Sequence, residues 1–90
     1  MPHPYSNQRR YRLAHEPTRP AWRCQACGTS WPCSAAKLRL LGRFRADRAG
    51  LVTHLTGLRE QAAAQLADLG QPIPPATLDD RFVDWARRRE

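Results

Sequence analysis

All three cysteines of the chain fall in the stretch 15-HEPTRPAWRCQACGTSWPC-33. Their spacing, Cys24-x2-Cys27-x5-Cys33, suits thiolates gathered on one ion. A C-x2-C pair followed directly by Gly28 makes a tight turn in which both sulfurs face one point, and glycine relieves the backbone there. Cys33 precedes a helical pattern, so the unpaired N–H groups and the dipole of a helix start stabilise its thiolate. Three thiolates leave one tetrahedral position, for which the chain offers His3, His15 and His54. His15 is the expected ligand, because Pro17 and Pro20 stiffen an excursion that must fold back toward Cys24. His54, at the edge of an apolar helical stripe, is the alternative. The metal ligands are therefore expected to be His15, Cys24, Cys27 and Cys33. A closed Cys3His set suits a structural Zn2+, with an iron–sulfur cluster as the alternative cofactor.

Other chemistries fit less well. A nucleophilic cysteine needs a base and an orienting group, whereas a metal accounts for all three thiols at once. No histidine–glutamate motif supplies a general base for an open zinc site, and no glycine-rich loop could cradle a phosphate. Asp79 and Asp80 diverge on a helix and read as first-turn charges. No enzymatic activity is expected. Trp22 and Trp31 flank the cluster; aromatics between arginines can stack on bases, but here shielding of the thiolates is the expected role.

The spacing of the three cysteines resembles that of the WhiB-like proteins, small actinobacterial regulators that hold an iron–sulfur cluster, with His15 in place of that family's fourth cysteine. The wider motif, H-x8-C-x2-C-G-x2-WPC followed by AK and leucines, is similar to that of a group of short actinobacterial proteins without an assigned activity. They share the closing pattern seen here as Arg81-Phe82 and Trp85. That resemblance implies the same ligand set.

Charge points to a partner. The chain carries a formal +7, with 15 basic against 8 acidic residues. An arginine-rich, alanine- and proline-rich composition is also what GC-rich coding produces, so placement matters more than the total. Residues 1–50 hold the whole excess, and residues 51–90 sum to slightly negative. An asymmetry of this kind suits nucleic acid or an acidic protein. The candidate nucleic-acid contacts are Arg9, Arg10, Arg12, Arg19 and Arg23 on an arm and knuckle rim, with Lys37, Arg39 and Arg43 on a neighbouring helix. The terminal run Arg87, Arg88 and Arg89 reads instead as the favourable charge at a helix C-terminus.

The elements that must position this cluster are mainly α-helical. Residues 1–14 lack a period and read as a flexible basic arm. Residues 15–90 form one small metal-stabilised helical domain, with a knuckle over 15–34 and helices over the rest. The spacing of Leu38, Leu41 and Phe44, with Ser34 as cap, predicts a helix near 35–45. Leu51, Leu55, Leu58, Ala62, Leu66 and Leu69, capped by Asp47 and stopped at Gly70, predict a second over 48–69. Thr77 as cap and Leu78, Phe82 and Trp85 on one face predict a third near 78–88. A chain this short has a marginal core, for which a metal staple is a common remedy.

No apolar run suits a membrane span, and the polar, basic start does not read as a secretory signal. A cytoplasmic location, where thiols stay reduced, is expected. The composite expectation is a zinc-stabilised nucleic-acid-binding or transcription-regulatory protein that engages DNA in preference to RNA. Its alternatives are a protein-interaction adapter using a helical face and an iron–sulfur redox-sensing regulator.

Overall fold

The structure, a computed structural model, describes residues 14–87. The arm at 1–14, apart from Ala14, lies outside them, as do Arg88 and Arg89.

Residues 14–33 fold as an irregular hairpin without a regular strand. Single bridges pair Pro17 with Cys24 and Arg23 with Ser30. Three helical stretches follow: α1 (Ser34–Arg43), α2 (Arg48–Asp68) and a composite α3 over 75–87. This is the mainly helical chain with an N-terminal knuckle that the residue pattern predicts.

The helix ends follow local chemistry. Cys33, rather than Ser34, is the N-cap of α1, its sulfur accepting from the backbone N–H of Ala36. Asp47 caps α2 as expected, accepting from Gly50 N at 2.8 Å. Gly50 suits this site because a Cβ there would collide with the Asp47 carboxylate. α2 ends on a Schellman motif: Gly70 has φ +75°, Gly70 N donates to Ala67 O, and Gln71 N donates to Leu66 O.

The third helix departs from expectation. It begins at Pro75, with Pro74 as N-cap, so Thr77 lies inside it and does not cap. Proline at the first helical position has a suitable φ and no N–H to waste, which outcompetes a hydroxyl cap two residues later. Asp79 is consequently past the first turn and pairs with Arg59 of α2. The helix then widens into a π-helical segment, Asp80–Asp84, before closing as Trp85–Arg87.

α2 and α3 run antiparallel, with Arg59 against Asp79 near the start of α3 and Arg48 Nη1 donating to Ala86 O at 2.6 Å near its end. The inner face of α2 is Leu51, Leu55, Ala62 and Leu66, buried against Leu78, Phe82, Val83, Trp85 and Ala86. Two leucines of the expected apolar faces stay outside: Leu38 is 66% exposed and Leu69 is 44% exposed. Among the described residues, no helix is long and apolar enough to cross a membrane.

The knuckle joins this core through its tryptophans. Trp22 and Trp31 are buried and meet each other and Phe82, with centroids 5.6–6.2 Å apart. Trp22 sits at φ +57°, a left-handed conformation that costs a bulky residue on the order of 1–3 kcal/mol. Its complete burial, and an indole N–H donated to Gln65 Oε1 at 2.7 Å, hold it there. Both tryptophans are thus core residues, packed on each other and on Phe82 of the last helix.

Candidate metal centre

The hairpin and the start of α1 bring four ligand atoms together. His15 Nδ1 lies 3.2 Å from Cys24 Sγ and 3.3 Å from both Cys27 Sγ and Cys33 Sγ. The Cys24 and Cys33 sulfurs are 3.7 Å apart, and all four ligand atoms lie within 4.8 Å of one another. No disulfide joins the cysteines.

These distances can be set against a tetrahedral ion. Bonds of about 2.3 Å to sulfur and about 2.0–2.1 Å to nitrogen give edges of about 3.8 Å between sulfurs and about 3.6 Å between sulfur and nitrogen. The sulfur pair matches this edge, and the histidine nitrogen sits slightly closer. Four soft or borderline donors with this spacing could hold one metal ion.

Local structure explains how each ligand arrives. Cys24 and Cys27 flank a turn in which Gly28 N donates to Cys24 O at 2.8 Å, and Gly28 takes φ +76°. A side chain at Gly28 would meet no atom within 4 Å, so the requirement is conformational rather than spatial. Backbone N–H groups aim at two of the sulfurs: Cys27 N at Cys24 Sγ, 3.3 Å, and Ala36 N at Cys33 Sγ, 3.4 Å. His15 is anchored by its own carbonyl, which accepts the Trp31 indole N–H at 2.8 Å. One indole thus fixes the far ligand to the segment that leads into Cys33.

The electrostatics separate the thiols. Burial alone would raise Cys24, but hydrogen bonds from Cys27 N, His15, Ala26 N and Cys33 outweigh it and bring its pKa down to about 7. Desolvation within the cluster, then the neighbouring Cys24 and Cys33 sulfurs, push Cys27 up to about 11. Cys27, held protonated beside its neighbours' sulfurs, ionises readily only with a cation at hand, and a metal supplies that charge.

His15 is the only histidine in the group. His54 stacks on Phe44, with centroids 5.5 Å apart, and takes no part in the cluster. His3 lies outside the described residues.

The expected basic contacts divide into separate places. Arg19, Arg39 and Arg43 line one cleft of about 170 Å3 beside His15 and His54, floored by Trp31, Leu40 and Leu58. Arg19 lies over the Trp22 ring and donates to Gln61 Oε1 at 2.6 Å, which fixes it on the cleft wall. Arg39 makes only an exposed ion pair with Glu16, 3.7 Å, a kind worth about 0–1 kcal/mol. Lys37 instead lies over the Trp85 ring, 5.7 Å from its centroid. Arg23 faces a different cleft on the other side of the hairpin. Arg9, Arg10 and Arg12 fall outside the described residues.

Sequence periodicity did not reveal Arg81. Its Nε donates to Trp31 O and its Nη2 to Trp22 O, both at 2.8 Å. The only sequence signal was its place beside Phe82 in the closing pattern, which carries no role by itself. The chain matches no family model, no curated protein and no solved structure.

Proposed function

We propose that this chain is a zinc-stabilised nucleic-acid-binding domain with a regulatory role, in which the metal is a scaffold rather than a catalyst. Zinc is the favoured ion because three cysteine sulfurs and one histidine nitrogen at tetrahedral spacing make a closed set. Four protein ligands leave no position for water or substrate. An iron–sulfur cluster would ask the same four atoms to bind several irons, for which a 3.7 Å sulfur pair with the histidine nitrogen 3.2–3.3 Å from all three sulfurs is tight.

The observation that carries the nucleic-acid reading is the gathering of Arg19, Arg39 and Arg43 around one cleft beside the metal centre. Three guanidinium groups against one exposed carboxylate, Glu16, favour a polyanion. DNA is preferred to RNA on the ground that an arm rich in arginine preceding a compact module suits a duplex groove.

An adapter function would rest on the apolar stripe over 51–69, of which Leu51, Leu55, Ala62 and Leu66 are buried and Leu69 is 44% exposed, with Leu38 of α1 66% exposed. Two exposed leucines on separate elements, with the rest of the α2 stripe buried, make no extended apolar patch, so nucleic acid is the stronger reading.

The test is fluorescence anisotropy of the metal-loaded full chain with duplex DNA and with RNA across a salt series. Affinity should fall steeply as salt rises. The double variant R39Q/R43Q should bind at least about tenfold more weakly, with the salt slope reduced by about 2. No DNA binding at low salt, or equal binding by parent and variant, would overturn the reading.

A further inference from the structure

A second cleft, lined by none of the four metal-site residues, brings two guanidinium groups together, and among the described residues no carboxylate lines it. It has a volume of about 270 Å3 and lies between the hairpin and the end of α2, with Arg23, Ser30, Gln71 and Arg81 as its main polar lining. Both arginines are fixed by neutral partners. Arg81 is held through Nε and Nη2 by the carbonyls of Trp31 and Trp22. Arg23 is held through Nη1 by the carbonyl of Gly28, 3.0 Å.

Carbonyl partners fix the direction of a guanidinium but leave its charge uncompensated. Each group has five N–H donors, so donors remain on both. Burial, and then the charge of Arg23, pull the Arg81 pKa below its ordinary value. The two cations therefore sense each other, and an anion between them would relieve both. Ser30 and Gln71 add a hydroxyl and an amide, donors that suit an oxyanion. Fixing the donors before the ligand arrives lowers the ordering cost of binding.

One wall of the same cleft is apolar. Leu66, Leu69 and Ile73 line it, and Leu69 is the exposed leucine of α2, 44% accessible. A leucine left in water beside two oriented cations suits a ligand with a charged head and an apolar body.

We propose that this cleft binds an oxyanion, a phosphate or a carboxylate, carried on an apolar group. The ligand's head lies between Arg23 and Arg81, and its body covers Leu69. This site is separate from the Arg39–Arg43 cleft and does not depend on the nucleic-acid reading.

The test titrates metal-loaded full chain with inorganic phosphate, butyl phosphate, acetate and hexanoate at constant ionic strength. Arginine Nε–H and Leu69 methyl resonances report the binding. Saturable shifts at Arg23, Arg81 and Leu69 are expected. The alkyl forms should bind about tenfold or more tighter than phosphate or acetate, given about 0.8 kcal/mol per buried methylene. The stronger of the phosphate and carboxylate arms identifies the head group.

R23Q should weaken binding at least tenfold with the zinc content kept and at most a small fall in melting temperature, because Arg23 is exposed and, among the described residues, its side chain bonds Gly28 O alone. Leu69→Ala should remove the preference for the alkyl forms and leave phosphate binding in place. R39Q/R43Q should bind butyl phosphate like the parent, so failure of the nucleic-acid reading leaves this result unaffected. The proposal is overturned by the absence of saturable shifts with all four anions, or by R23Q binding them like the parent.

Discussion

Arg81 donates to the carbonyls of Trp22 and Trp31, both at 2.8 Å, and these residues stand two positions before Cys24 and Cys33. One side chain of the last helix therefore holds the backbone leading into two of the metal ligands. The knuckle and the helical pair are joined through this contact, the tryptophan–Phe82 packing and the Trp22–Gln65 bond. The π-helical segment that begins at Asp80 contains this arginine, and such segments often occur where a helix meets a functional element.

Replacing Arg81 with lysine keeps the charge and removes the fork. A lysine ammonium cannot span two carbonyls in fixed directions. Hydrogen bonds to charged groups contribute roughly 1.5–3 kcal/mol each, and unsatisfied buried carbonyls add to the loss. R81K should destabilise the metal-loaded protein by about 2–4 kcal/mol, read by urea unfolding. It should also hasten loss of metal to a chelator. A change under about 0.5 kcal/mol would show that the contact is incidental.

His15 and His54 should separate cleanly. H15A removes one of the four ligands and should lower metal affinity at least about 100-fold, because metal sites lose their stability when a first ligand is deleted. H54A should leave affinity and stoichiometry unchanged and cost about 1 kcal/mol or less from its stacking on Phe44. Competition against a chromophoric chelator measures both. Equal losses in the two variants would contradict the ligand assignment.

Metal affinity should rise with pH. The ion binds thiolates, so a thiol whose pKa lies above the working pH must release its proton. Cys27, at about 11, is protonated through the neutral range, whereas Cys24, at about 7, is half ionised there. From these two ligands, log affinity should climb about 1 per pH unit between pH 7 and 9. The slope should steepen toward about 2 below pH 7, where Cys24 also holds a proton. Stability of the loaded protein therefore falls as the solution is acidified. A flat profile from pH 6 to 8 would contradict the release of a proton from Cys27 on metal binding.

The fraction of this fold legible in the sequence follows its physical causes. The C-x2-C pair, Gly28 and the cysteine at a helix mouth each state a local rule, and so do Asp47 and Gly70; the structure follows all of them. His15 was preferred over His54 on the stiffening prolines, and the geometry agrees. What depends on contacts distant in the chain was not legible. No periodicity indicates that Arg81 reaches back 50 residues to Trp31, or that Trp22 takes a positive φ. Pro75 at N1 overrode Thr77 because the fixed φ of proline competes with a hydroxyl cap, and a single sequence does not say which prevails. Leu38 falls on a plausible apolar face, yet none of the described elements packs over it. Of the basic residues that read as an arm, a knuckle rim and a helix face, the described ones divide between two clefts and a tryptophan ring.

The central claim is that a metal ion held by His15, Cys24, Cys27 and Cys33 closes this fold. Structural zinc in small domains contributes an apparent 10–16 kcal/mol, roughly, which exceeds the usual net stability of a domain this size. The direct measurement is elemental analysis of anaerobically purified full chain, followed by helical circular dichroism before and after chelation. The account predicts one zinc per chain, no visible absorption band, and loss of helical signal on chelation that zinc alone restores. Iron with sulfide and a visible band would contradict the zinc assignment, and a metal-free chain with unchanged helicity and melting would contradict the claim itself.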